Sequence, residues 1–471
     1  MFQTLKNAWK TPELRGKILF TILILLLYRL GSCIFVPFVD SNAVSTYFAA
    51  MGGGLGLVDQ LSGGAFSQAT LFALNVSPYI TASIVIQLLT VAIPALERLS
   101  KQGEEGRQKI NAITRYVTIG LALVTAIGYA TLLISQGLST MDMSGVDKTK
   151  FFIFQIFKCG YGFQFLVIVS CLVAGSSIIM WLAEKINAHG IGNGISMILF
   201  ANILSSVFGW IQSLWSMTFT NTGFNWVGLV IALGAAVLAL AMMVLIVWFT
   251  ESERRIPIQY AKRQVGRKMY GGQTSNLPLK MNMAGVMPVI FASSITSLPG
   301  IIAQFNPDSG FAKFVNGTSA KMYTDGWFNS YSWLFLVVSI LLIFVFSYFY
   351  IMISFNPVEV ANNIKNQGGS VPGIRPGKPT SDYIKKILNR ITTMGAVFLT
   401  LVACVPMLIN IINGIIMRPH FLEETCTHNI VQLPGIAFAG TSMLIVVGVA
   451  LETFRSLESQ LAMRNYKGFL D

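Results

Sequence analysis

Ten stretches of mostly apolar residues, each long enough to cross a bilayer, constrain this chain more than any other feature. They lie at about 17–37, 70–93, 112–137, 157–182, 192–214, 225–249, 283–303, 331–355, 391–413 and 434–454. A spanning helix needs about 20 such residues. Composition agrees: 54% of the 471 residues are hydrophobic and 11% are charged, where soluble domains carry about 25% charge. A soluble enzyme, a disordered chain and a coiled coil are excluded, leaving an all-α polytopic membrane protein. No small-residue cleavage pattern follows the first apolar run, so it is expected to stay as the first helix.

The charges orient the spans. Of the 33 Lys+Arg, 26 fall in the N-terminal segment and the connections on its side, 6 fall on the other side, and Arg29 lies within the first span. That asymmetry puts both termini inside. It also accounts for the net charge of +13 without nucleic acid. Two inside connections, about 250–282 and 356–390, are long and basic, which points to a docking surface ahead of the alternative that the charges serve topology alone. The outside segment 38–68 lacks Lys and Arg, is rich in glycine, and carries Leu55, Leu57, Val58, Leu61 and Phe66. It reads as an interfacial loop or as a re-entrant segment tucked into protein.

Catalytic chemistry is sparse. Gly377-Lys378 is followed by Pro379 and lacks an upstream glycine, so it makes no phosphate cradle. There is no H-E-x-x-H, C-x-x-C or G-x-S-x-G. The five cysteines show no paired spacing and the three histidines are scattered. No catalytic residue, metal ligand or cofactor is expected. Coupled transporters carry mid-bilayer acids, and such groups are almost absent here. Arg29 and Glu452, near span ends, are expected to snorkel or pair locally. The second span (Asn75, Ser77, Thr81, Ser83, Gln87) and the seventh (Pro288, Ser293, Ser294, Thr296, Ser297) are too polar to face lipid alone.

Four stretches are highly specific: LFALNVSPYITASIVIQLL at 71–89, WLAEKINAHGIGNGISMILFANI at 181–203, RRIPIQYAKRQVGRKMYGG at 254–272 with LPLKMNMAGVMPVIFASSI at 277–295, and FNPVEVANNIKNQGGSVPGIRPGKPT at 355–380. With the ten-span pattern, they make the chain resemble the SecY family, the channel subunit of the bacterial protein translocon, from about residue 15 to the end. The resemblance implies two pseudo-symmetric (inverted-repeat) five-helix halves, 1–214 and 215–471, around an hourglass pore with a plug. It implies a passive channel for unfolded secretory polypeptides in the bacterial plasma membrane. Signal peptides and membrane segments would leave sideways into lipid. SecE-like and SecG-like subunits would accompany it, and the SecA motor ATPase or the ribosome would drive it.

Carried over by motif, the pore ring is Val76, Ile80, Ile195, Leu199, Ile290 and Ile445. An apolar constriction dewets and blocks ions, while aliphatic chains yield to a polypeptide. The plug is about 54–66 and includes Leu55 and Val58, with Leu57, Leu61 and Phe66 over the ring and Asp59 and Gln60 toward outer water. The lateral gate lies between spans two and seven, with Thr81, Ser83, Gln87, Ser293, Ser294 and Leu298 along a seam closed by weak polar contacts. Docking for SecA or ribosome falls to Arg254, Arg255, Lys262, Arg263, Arg267 and Lys268, and to Arg375 and Lys378 on the turn bounded by Pro372, Gly373, Pro376 and Gly377. Asn75 stands where the family commonly has glycine, and Leu199 where isoleucine is common. Three readings compete. A transporter or ion channel needs intramembrane charge, an intramembrane enzyme needs a catalytic set within the spans, and a protein-conducting channel needs an aliphatic waist, a plug and basic loops.

Overall fold

The computed structural model describes residues 9–51, 59, 62–138, 162–220, 223–224, 226–260, 263–265, 268–270, 274–303, 309–316, 333–417 and 440–467. A helix occupies each of the ten apolar windows. In chain order the elements are α1 (Pro12–Gly31), α2 (Ser41–Met51), α3 (Ser77–Ala92), α4 (Pro94–Ser100), α5 (Glu104–Ser135), α6 (Gly162–His189) and α7 (Gly194–Thr218). A short ribbon, β1 (Phe219–Thr220) and β2 (Gly223–Phe224), leads to α8 (Trp226–Glu251). Next come β3 (Glu253–Tyr260), β4 (Arg263–Val265), β5 (Lys268–Tyr270) and β6 (Thr274–Lys280). The chain continues through α9 (Met287–Ala303), α10 (Gly310–Asn316), α11 (Trp333–Ser354), α12 (Pro357–Asn366), β7 (Gly369–Ser370), α13 (Lys378–Met417) and α14 (Thr441–Lys467).

Six of the described helices are long and apolar enough to cross a membrane, seven if the bent α3–α4 pair counts as one span. α8 shows how they meet lipid. Its exposed face carries Trp226, Val230, Leu233, Val237, Leu240, Val244 and Trp248, spaced every three or four residues. The two tryptophans are 22 residues apart by number. That is about 33 Å along a helix, close to the hydrocarbon thickness, and puts an aromatic residue at each interface.

Two features depart from regular spans. The second apolar window becomes helical only at Ser77, with Pro78 in its first turn, where a missing N–H costs nothing. Before it, 62–76 form successive turns, with Ala65, Phe66, Ala69, Phe72, Ala73, Leu74 and Asn75 buried. Non-helical backbone is tolerated at this depth because protein surrounds it. The backbone of Leu71 bonds to Ile34 and that of Val36 to Ala69. α3 then ends at Pro94, and α4 leaves it at 105°.

One large core cluster joins α1, α3, α6, α7, α8, α9, α11, α13 and α14 at the centre of the molecule. A second packs Phe66, Ala69, Ala73 and Leu74 with Val36, Val44, α5 and α6.

Candidate functional site

The residues assigned to the pore ring lie near helix starts. Val76 caps α3, and Ile80 lies one turn on. Asn193 caps α7 by accepting from the Ile195 N–H at 3.1 Å, and the Gly194 N–H donates to Asn187 Oδ1 at 2.7 Å. These bonds turn the chain sharply between α6 and α7, so Ile195 and Leu199, four residues apart, share a face. Ile290 lies near the start of α9 and Ile445 near the start of α14. Val76, Ile80, Leu199, Ile290 and Ile445 are all members of the central cluster, none more than 8% exposed, and Ile195 packs against it. Six residues far apart in sequence thus share one large apolar cluster.

Beside it, α3 packs on α9, with α5 and α11 flanking. Thr81, Ser83, Gln87, Ser293, Ser294 and Leu298 are half-buried along this seam. The expectation of polar contacts across it does not hold. Thr81 donates to Ser77 O, Gln87 to Ser83 Oγ at 3.5 Å, and both Ser293 and Ser294 to Ile290 O. Each hydroxyl satisfies itself on its own helix, so among the described residues no hydrogen bond joins α3 to α9. The seam is closed by packing.

Of the residues assigned to the plug, Leu55, Leu57, Val58, Gln60 and Leu61 lie outside the described residues. The other two are placed differently from expectation. Phe66 does not cover the waist. It packs in the second cluster, 4.6 Å between ring centroids from Tyr129, whose hydroxyl donates to Phe66 O at 2.6 Å. Asp59 does not simply face water either. It is half-buried, and its Oδ1 accepts from the Ser67 N–H at 2.8 Å, closing the turn on which Ser62 donates to Asp59 O. Burial raises the Asp59 carboxyl above its ordinary pKa, with the bonds from Ser67 and Ser62 opposing. Gly63, at φ +66°, lies tight against α7 and α1. A methyl there would sit 2.9 Å from the Asn202 carbonyl and 3.2 Å from Arg29 Nη1.

The two long basic connections form one platform. β3 pairs antiparallel with β6 along its length and with β7 at its end, Gln259 opposite Ser370 and Tyr260 opposite Gly369. Alternation on β3 buries Ile256 and Ile258 against Leu279, Val371, Ile364 and the start of α13, while Arg254 and Arg255 stay exposed. Arg263 and Lys268 lie on the β4–β5 ribbon; Lys262 and Arg267 lie outside the described residues. Arg375 and Lys378 are exposed on a turn with Gly373 at φ +80° and Gly377 at +104°, braced by the Thr380 hydroxyl on Arg375 O at 2.8 Å. At the platform's foot, burial and the nearby Arg455 push the Lys280 ammonium below its usual range.

Residue-by-residue reading of the sequence missed Tyr28, Gly63 and Asn202. Asn202 is fully buried, and an amide inside an apolar helix is costly enough to have flagged it. Arg29 pairs locally as expected, bonding Ser205.

Helices long and apolar enough to cross a membrane, a central apolar cluster, a buried turn before α3 and a basic platform define a multi-spanning helical membrane protein. The comparisons agree. A sequence model of SecY matches residues 70–454. The chain is 41% identical to the protein translocase subunit SecY of Streptomyces galbus, covering 100% of both. It is 40% identical to that of Thermus thermophilus, covering 100% of this chain and 98% of the relative. The structure of a protein-conducting channel superposes with a TM-score of 0.63 at 16% identity, covering 94% of this chain and 92% of that one. Sec61 from the canine ribosome–channel complex superposes at 0.60 and 15%, covering 94% and 92%. The chain belongs to the SecY family, and its fold is that of the protein-conducting channels.

Proposed function

We propose that this chain is the central subunit of a protein-conducting channel in the bacterial plasma membrane, multi-pass with both termini cytoplasmic. It passes unfolded secretory polypeptides outward and releases membrane segments sideways into lipid. It performs no chemistry of its own; SecA or the translating ribosome supplies the energy, and SecE-like and SecG-like subunits complete the complex. The observation carrying this reading is the convergence of Val76, Ile80, Ile195, Leu199, Ile290 and Ile445 in one packed cluster beside a seam that no hydrogen bond crosses. Such a waist excludes water and ions at rest, yet its aliphatic chains have no bonds to break when a polypeptide pushes through.

The halves, 1–214 and 215–471, part at the α3–α9 seam. A signal helix replaces apolar contacts there with its own, at little net cost in lipid. The segment about 54–66 plugs the outer funnel. Arg254, Arg255, Arg263, Lys268, Arg375 and Lys378, with Lys262 and Arg267, make the platform that receives SecA or ribosomal RNA; that attraction weakens with salt.

The test is conductance of the purified complex in a planar bilayer, with crosslinking of a stalled nascent chain to Ile80 and Ile290. A silent resting channel and crosslinks at both positions are expected. Steady conductance selective for one small ion would transfer the reading to an ion channel.

A further inference from the structure

Asn75 occupies a position that few side chains suit. Its φ is +51°, in the left-handed region, where glycine or asparagine is tolerated. It is 2% exposed and lies one residue before the waist. Its side chain is in use: Oδ1 accepts from the Tyr28 hydroxyl at 3.3 Å and from Asn202 Nδ2 at 3.2 Å. Tyr28 is itself fully buried, stacked on Phe72 with ring centroids 5.4 Å apart.

The link runs in two directions. Asn202 lies three residues beyond Leu199 on α7, so the bond fixes the face of α7 that supplies the waist. The carbonyl of the same Asn202 is the surface on which Gly63 rests, with the guanidinium of Arg29 beside it and bonded to Ser205. Asn75 therefore touches, through one residue, both the waist and the seat of the re-entrant turn.

We propose that Asn75 is the positioning residue that holds the plug's seat in register with the pore ring, acting through Tyr28 and Asn202. This rests on the plugged-channel reading above. A glycine at 75 supplies the backbone conformation alone; asparagine adds the bonds that make waist and seat move as one unit. Coupling of this kind typically changes an equilibrium about 5- to 150-fold.

The test is single-channel recording of the complete purified complex, comparing wild type, Asn75→Gly, Asn202→Ala, their double variant and a deletion of 54–66. Asn75→Gly keeps the positive φ without strain and removes only the amide. The expected result is a rise on the order of tenfold in open time at rest. The transport rate of a client with an intact signal should stay at the wild-type level, whereas a merely structural loss would lower it. Asn202→Ala cuts the same link from α7 and should leak alike, with the double variant no leakier than either single one. It also stands in should Asn75→Gly fail to assemble. A leaking deletion beside silent Asn75→Gly and Asn202→Ala variants overturns the link and spares the plug. A silent deletion overturns the plug and the link together.

Discussion

Helices before residue 214 meet those after it along two edges, and the two are built differently. At one edge α3 lies on α9, with every seam hydroxyl turned back onto its own helix. At the other, α7 packs on α8 and α14, and the chain itself crosses through the β1–β2 ribbon. There the Thr453 hydroxyl donates to Val449 O at 2.7 Å with Met197 Sδ beside it at 3.4 Å, Lys17 donates to Gln460 at 3.4 Å, and Leu14, Ile191 and Leu457 form a small apolar cluster of their own. In lipid, apolar packing is exchanged against acyl chains with little driving force, whereas covalent and polar links are not. On the proposed reading, the unbonded edge is the one that opens, and the edge through which the chain itself passes is the hinge.

The largest effect is expected at the hinge. Gly192 has φ +75°, and a side chain there would meet Thr453 Oγ1 at 3.3 Å. Gly192→Val adds backbone strain of about 1–3 kcal/mol at the one edge that must stay shut. Loss of assembled complex on size-exclusion chromatography is expected. A fully assembled, transporting Gly192→Val channel would remove the distinction between the edges.

Next is the re-entrant turn, whose described anchors (Asn202, Arg29, Tyr129) all precede residue 214. It crosses neither edge, so loosening it should leak ions without freeing the gate. Gly63→Ala, strained at φ +66° and pressed on the Asn202 carbonyl, should cost about 1–3 kcal/mol of docking. Conductance at rest should rise while lateral crosslinking of a signal helix stays at the wild-type level.

A smaller effect follows from Asp59. Burial holds its carboxyl above the ordinary value of 3.8, so the docked turn binds a proton more tightly than the free one. The resulting stabilisation is full below that ordinary value and is lost as pH rises through the raised one. Resting leak should grow across that window, and Asp59→Asn, which keeps an acceptor for Ser67, should flatten the profile.

The platform's charges were legible because basic runs between spans are a local signal, whereas the pore ring was assigned through the family resemblance, since an aliphatic residue at helical spacing reads equally well as ordinary packing. That the two basic runs join through Gln259 and Ser370 was not legible, since strand pairing between segments 110 residues apart leaves no local mark. Phe66 was misread because an apolar residue near a pore has two apolar destinations, and Tyr129 offers the nearer one. Asp59 was misread because exposure was inferred from charge, while Ser67 supplies a buried partner.

The gate hydroxyls were misread for a related reason, and they give the finest test. In an apolar helix, a serine or threonine suggests a partner across the interface, but its own carbonyl four residues back is always within reach. Thr81→Ala and Ser294→Ala each remove a bond internal to one helix. Each should shift gating by no more than about 0.2 kcal/mol, well inside the range of surface substitutions. Two cross-seam bonds lost would cost about 0.6 kcal/mol apiece, the average between membrane helices. The double variant separates the cases: lateral crosslinking of a signal helix to α3 should stay within twofold of wild type if packing alone closes the seam. A rise well beyond that would mean that the hydroxyls bridge α3 and α9 in the membrane, and the two edges would then differ in degree only.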